Sequence, residues 1–186
     1  ITHSDIDSAA EHGYVIKLIG RAKKYSDDKI TATVGPCLIP NHSQLSNVDD
    51  VFNAILVRGD AIGDVVFYGR GAGKFPTASA VVADIIDCAR HNTKRRLFGW
   101  DCAEDNYVMD PLMATSSLYV RAEADDYVAA FNAINSVFES PLILHRDGES
   151  KNEIAFITPS MREKEARTAI SKLPIKTELI LRVMDY

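Results

Sequence analysis

The segment from Asp64 to Asp87 is the feature that most constrains what this chain can fold into. Apolar and β-branched residues at 65–68 predict a strand, three alternating glycines follow within 69–73, and Pro76 opens a predicted long helix. Alternating glycines permit positive φ angles and a close approach of another group to the backbone. A helix start adds unpaired N–H groups and the positive end of the helix dipole. The pattern is typical of a structural turn or of a loop that holds a phosphate or a cofactor, and both interpretations stay open here.

Neither common phosphate-loop signature is present in this segment. A Walker-type loop needs a glycine, four residues, and then Gly-Lys-Ser/Thr, whereas Gly73-Lys74 is followed by Phe75 and position 68 is Tyr. The dinucleotide fingerprint Gly-x-Gly-x-x-Gly, counted from Gly69, ends on Lys74. The residues alone therefore do not decide between a turn and a ligand loop.

Composition excludes several classes of protein. The chain has 186 residues, which is enough for one large domain or two small ones. The net charge of -5 without a basic block gives no reason to expect a nucleic-acid partner. No apolar run approaches the roughly 20 residues of a membrane span, so we expect no membrane association.

The cysteines and histidines predict free thiols and no metal site. The three cysteines and five histidines show no metal-ligand spacing. Unpaired cysteines are typical of a reducing compartment, so we expect a cytoplasmic protein. Cys88 falls on the apolar face of the predicted helix after Pro76, and we expect it to be buried.

The first half of the chain predicts one short helix and two β-hairpins. Ser4 is a suitable N-cap for a helix that ends near Gly13. Alternating apolar residues and turn residues then predict strands at 14–25, 29–34, 52–58 and 62–68.

The second half predicts a separate small domain. Residues 93–114 lose periodicity, and we place a linker at 96–114. Strands at 117–121, 142–145, 153–158 and 177–184 alternate with helices at 125–139 and from Ser160 onwards. This β-α-β-β-α-β order is ferredoxin-like. The predicted fold class is therefore α+β: a mixed β-sheet covered by helices at 1–95, followed by the βαββαβ domain at 115–186.

Two acids on the long helix are candidates for proton transfer. Asp84 and Asp87 lie three residues apart and so share one helix face. They are either acid/base groups or part of a solvated, ion-paired face, and the spacing favours the second interpretation.

Several runs of residues in the first half resemble those of the homoserine dehydrogenase family. They are Gly13-Tyr-Val-Ile-Lys-Leu-Ile-Gly20, Pro36-Cys-Leu-Ile-Pro40, Val51-Phe-Asn-Ala-Ile55, Gly59-Asp60, Phe67-Tyr-Gly-Arg-Gly-Ala-Gly73 and Pro76-Thr-Ala-Ser-Ala-Val81 with Asp84. The resemblance covers residues 1–95 and is most specific at 67–81.

The resemblance implies an enzyme that interconverts L-homoserine and L-aspartate 4-semialdehyde with NADP or NAD, in threonine and methionine biosynthesis. It implies that 1–95 belong to the catalytic and dimerisation domain, that 115–186 resemble an ACT domain, and that the protein is a homodimer. It also implies that Gly73 contacts the nicotinamide cofactor, with Gly71 and Ala72 beside it.

The resemblance places no catalytic residue in this chain. The catalytic Lys and Asp and the nucleotide-binding fingerprint are expected upstream of Ile1, so we expect the 186 residues alone to be inactive. The ACT-like loop at 123–128 lacks the glycine usual in regulatory members. Two roles therefore stay open for this half: an amino-acid-binding regulatory module, or a structural segment that packs or dimerises.

Overall fold

The computed structural model describes residues 1–91, 105–145, 148 and 150–184. The helices are α1 (His3–Glu11), α2 (Lys74–Arg90), α3 (Tyr127–Val137) and α4 (Glu163–Ile170), with a 3-10 turn at Pro111–Met113. The strands are β1 (Tyr14–Ser26), β2 (Lys29–Pro40), β3 (Phe52–Gly59), β4 (Gly63–Arg70), β5 (Thr115–Glu123), β6 (Leu142–Leu144), β7 (Glu153–Ile157), β8 (Met161–Arg162) and β9 (Lys176–Val183). The chain divides into two compact units, Ile1–Ser46 with Glu104–Tyr186, and Asn47–Ala103.

The first unit is built on one mixed sheet, which confirms the predicted α+β class. Its strands lie in the order β1-β2-β9-β5-β7-β6, and β8 pairs with β5. Only the β2–β9 contact is parallel among these pairings. The predicted β-α-β-β-α-β order is present as β5-α3-β6-β7-α4-β9, with the short β8 ahead of α4. The alternating apolar residues produce these strands because one strand face must be buried.

The compact units do not follow the predicted division at 96–114. The β1–β2 hairpin was predicted to belong to a different domain from β5–β9, but β2 pairs with β9 and extends the same sheet. Buried Leu38 packs in a cluster with Tyr119 and Leu181, and the Met184 N–H donates to the Leu38 carbonyl at 2.8 Å. The buried Leu38 of β2 thus packs against side chains of β5 and β9.

The last part of the predicted linker is hydrogen-bonded to β2. Residues 96–104 lie outside the described residues. Beyond them, the Ile30 N–H donates to the Tyr107 carbonyl at 3.0 Å and the Met109 N–H donates to the Ile30 carbonyl at 2.8 Å. This segment is therefore held against β2, although it has no apolar periodicity.

The two faces of the sheet carry separate apolar clusters. One cluster includes Leu118, Val120, Ile154 and Phe156 and is covered by α3 and α4 through residues such as Ala130, Ile134, Phe138, Ala166 and Ile170. The other includes the intervening Tyr119, Ala155, Ile157, Leu144, Leu181 and Leu38. This alternation follows from the twofold period of a strand, in which successive side chains point to opposite faces.

The second unit, described over residues 47–91, has a hairpin of β3 and β4 and the helix α2. The hairpin is paired from Phe52–Arg70 to Gly59–Gly63, as predicted from the turn residues. No residue of α2 is buried. The prediction that Cys88 is buried is therefore wrong: it is exposed. Helical periodicity marks an apolar face but does not say what covers it.

The N-cap of the first helix lies two residues before the predicted cap. Thr2, not Ser4, is the N-cap: its hydroxyl accepts from the Asp5 N–H, and the Asp5 carboxylate accepts from the Thr2 N–H at 2.6 Å. This reciprocal arrangement is a capping box. The other carboxylate oxygen of buried Asp5 accepts from Arg121 Nε on β5 at 2.6 Å, so the cap also ties α1 to the sheet.

A second buried carboxylate fastens α4. Glu163 is 1% exposed, and its oxygens accept from Arg182 Nε on β9 at 2.7 Å and from Arg167 Nε at 2.8 Å. Two residues on, Glu165 pairs with Arg162 at 2.8 Å on the surface. The helix thus carries a buried and an exposed acid of the same size.

A matched pair of substitutions on α4 tests this difference. We expect Glu163→Gln to lower the free energy of unfolding by about 3 kcal/mol, because it leaves two arginines beside a neutral buried group. We expect Glu165→Gln to change it by less than about 0.5 kcal/mol, because an exposed pair contributes little. Urea denaturation measures both, and equal effects would contradict the role given to Glu163.

The Asp5 carboxylate gives a pH-dependent contribution. Burial raises its pKa, but the hydrogen bonds from the Thr2 backbone and from Arg121 outweigh burial and hold the pKa below the ordinary value. A lowered pKa in the folded state stabilises the fold at pH values above about 4, and this contribution is lost as the pH falls below that value. We expect Asp5→Asn to cost about 3 kcal/mol at pH 7.

The pH series and its control are made on the same helix. The difference in unfolding free energy between the wild type and Asp5→Asn should shrink as the pH falls from 5 to 3. Exposed Asp7 supplies the control, since Asp7→Asn removes a charge from the same helix without touching Arg121. A difference that is constant with pH would show that the charge of Asp5 is not what stabilises the fold.

Candidate functional site

The glycine loop lies between β4 and α2, as the sequence predicts, but the helix begins at Lys74 rather than at Pro76. The first helical hydrogen bond runs from the Thr77 N–H to the Gly73 carbonyl at 3.1 Å. Gly73 is the N-cap, with φ 121° and ψ 158° and no side-chain cap. Because that conformation is essentially restricted to glycine, the turn into α2 depends on Gly73 having no side chain.

The other two glycines of the loop have different surroundings. A Cβ atom added to Gly71 would lie 2.8 Å from Asn53 Cγ and 3.2 Å from Asn53 Cβ, and closer still to the amide nitrogen. A Cβ added to Gly69 would have no heavy atom within 4 Å. Neither residue has a positive φ. The space beside Gly71 is therefore occupied by the exposed side chain of Asn53 on β3, a contact that the sequence did not reveal.

Aromatic and cationic side chains stand at the base of the loop. The rings of Phe52 and Tyr68 stack at 4.9 Å, and the Arg70 guanidinium lies 5.5 Å from the centre of the Phe52 ring. Lys74 follows at the start of α2, with its ammonium 6.0 Å from the Phe75 ring. The loop thus offers exposed backbone between two positive charges, which suits an anionic or phosphate-bearing ligand.

The residues singled out from the sequence fall in two places. Gly71, Ala72 and Gly73 are consecutive in the loop, and all three are exposed. Asp84 and Asp87 lie further along α2, where they are exposed, and Asp87 pairs with His91 at 2.9 Å. For Asp87 the interpretation as part of a solvated helix face with a side-chain partner is therefore the one that fits.

The loop between β5 and α3 is the second candidate region. The Ala124 N–H donates to the Asn152 carbonyl at 2.7 Å, and Ala124 is 2% exposed. Asp126 caps α3 by accepting from the Ala129 N–H at 3.0 Å. The Ala124 N–H of this loop is thus already hydrogen-bonded within the unit.

Known proteins match both halves of the chain. The family model "Homoserine dehydrogenase" matches residues 1–86. The homoserine dehydrogenase of Neisseria gonorrhoeae is 38% identical over an alignment of 185 positions, which covers 91% of this chain and 42% of that protein. The homoserine dehydrogenase of Helicobacter pylori is 36% identical over 183 residues, covering 93% of this chain and 42% of that protein.

Solved structures have a similar fold along the whole of this chain. The crystal structure of a homoserine dehydrogenase from Thiobacillus denitrificans covers all of this chain with a TM-score of 0.81 and 32% identity, over 46% of that protein. The chain thus spans less than half the length of the relatives it matches. The sequence matches and the shared fold together show that this chain is similar, along most of its length, to part of the homoserine dehydrogenases.

Proposed function

We propose that this chain forms part of an enzyme that interconverts L-homoserine and L-aspartate 4-semialdehyde with NAD or NADP. The observation that supports it most is the glycine loop between β4 and α2, whose three glycines have different surroundings. This loop lies in a chain that is similar to homoserine dehydrogenases along most of its length. The reaction removes a hydride and a proton from the alcohol, and the nicotinamide accepts the hydride.

Within that proposal, Gly73 contacts the nicotinamide cofactor, and Gly71 and Ala72 lie beside the contact. The fit rests on the shape of the loop: its backbone is exposed, and Gly73 has a conformation in which a side chain would be strained. Arg70 and Lys74 flank the loop with positive charge, which complements a cofactor that carries phosphates. The residues that transfer the proton are proposed to lie outside this chain.

For the unit containing β5 to β9 we propose an ACT-like domain that packs in a cytoplasmic homodimer rather than binding an amino acid at the 123–126 loop. The support is the Ala124–Asn152 hydrogen bond, which occupies the backbone that would have to close on a ligand. Regulatory binding of an amino acid at this loop is the alternative.

The enzymatic proposal is tested with a fusion. Residues 1–186 are joined to the upstream part of the Neisseria gonorrhoeae relative, which is expected to carry both the nucleotide-binding fingerprint and the proton-transfer residues, and we expect NADPH- or NADH-dependent reduction of aspartate 4-semialdehyde. We expect Gly73→Ala in that fusion to lower kcat/KM about tenfold or more, because the alanine is strained at φ 121°.

The control for this substitution is Gly35→Ala on β2. Gly35 has no positive φ, and an added Cβ meets no atom within 4 Å, so its replacement should leave kcat/KM unchanged. A folded but inactive fusion, or equal activity of Gly73→Ala and the wild type, would count against the proposal.

The packing role of the ACT-like part is tested by titration. With threonine, methionine or homoserine at millimolar concentration, we expect no binding heat and no rise in the unfolding temperature, since a ligand that binds the folded state would stabilise it. A saturable heat signal that disappears in Ala124→Pro would support the regulatory alternative instead.

A further inference from the structure

Each of the three glycines in the loop has a different relation to its surroundings. Gly73 is needed for its backbone conformation, and Gly69 meets nothing within 4 Å of an added Cβ. Gly71 has no positive φ, and the side chain of Asn53 fills the space that a Cβ atom at Gly71 would occupy. The middle of the loop is therefore in contact with a residue from a different strand.

The strand that carries Asn53 is well held at this point. Asn53 lies opposite Gly69 in the β3–β4 ladder, and the preceding Phe52 lies opposite Arg70. Phe52 stacks on Tyr68 and its N–H donates to the Asp49 carbonyl at 3.1 Å. The Asn53 side chain is thus presented from a fixed ladder position at the point where the chain leaves β4.

We propose that Asn53 is a positioning residue for the glycine loop: its side chain packs on the Gly71 backbone and fixes the path of the chain from β4 to Gly73. The role in cofactor binding rests on the function proposed above, whereas the packing of Asn53 against Gly71 does not. Both residues are exposed, so the contact is local to the loop, and a methyl group at position 71 would require the Asn53 side chain to move.

The packing is tested in the 186-residue chain by a double-mutant cycle. Gly71→Ala should lower the unfolding temperature by on the order of 5 °C through overpacking. Asn53→Ala removes the amide atoms nearest to the new methyl group, so the double variant should recover part of that loss. Gly69→Ala is the matched control and should lower the temperature little, because its Cβ enters open space. Additive effects of Asn53→Ala and Gly71→Ala would overturn the inference.

The positioning role is tested in the fusion. Asn53→Ala should raise the KM for the cofactor about tenfold with a smaller change in kcat, because the loop backbone is no longer held where the cofactor meets it. Asn53→Leu keeps the branched, uncharged shape of the side chain and should restore most of the affinity, which a loss of overall stability would not predict.

The outcomes separate the two proposals. An active fusion whose cofactor KM does not respond to Asn53→Ala would overturn the positioning role. An inactive wild-type fusion would count against the proposed function, and the double-mutant cycle would then still decide whether Asn53 fixes the loop.

Discussion

The parallel pairing of β2 with β9 is the contact on which the larger unit depends. It is short, with Cys37 opposite Arg182 and Leu38 opposite Val183, yet it joins the β1–β2 hairpin to the β5–β9 sheet. Arg182 takes part twice, because its backbone pairs with β2 while its side chain bonds Glu163 on α4. One residue thus connects the sheet extension to the helix that covers the sheet, and burial of Leu38 adds the apolar contribution.

The local structure followed from the sequence, and the long-range pairing did not. Alternation and turn residues gave most of the strands and the βαββαβ order, because a strand must bury one face. The strand predicted at 29–34 is an exception, since β2 continues to Pro40 and its unpredicted part pairs with β9. Ser4 is the predicted cap of α1, but Thr2 caps the helix. Thr2 and Asp5 have the spacing of a capping box, so the signature is present in the sequence. The division of the chain depends on which strand β2 joins, and periodicity carries no information about partners.

The position of the glycine loop could be predicted from the sequence, but the surroundings of each glycine could not. Three alternating glycines mark a loop that needs bare backbone, and the loop lies where they stand. Why each one is a glycine required coordinates, because Asn53 reaches Gly71 only through the ladder register of β3 and β4. The burial expected for Cys88 failed for the converse reason, since a helical apolar face is visible in a sequence but its cover is not.

The larger unit is discontinuous: Ile1–Ser46 and Glu104–Tyr186 form it, and Asn47–Ala103 lie between them in the chain. During synthesis on the ribosome the β1–β2 hairpin therefore emerges long before its partner strand β9, whose residues come close to the end of this sequence. Until then the edge of β2 has unpaired N–H and carbonyl groups and Leu38 has no core to enter. Contacts so distant in sequence slow folding, so the apolar side chains of the hairpin stay in water until β9 has been made.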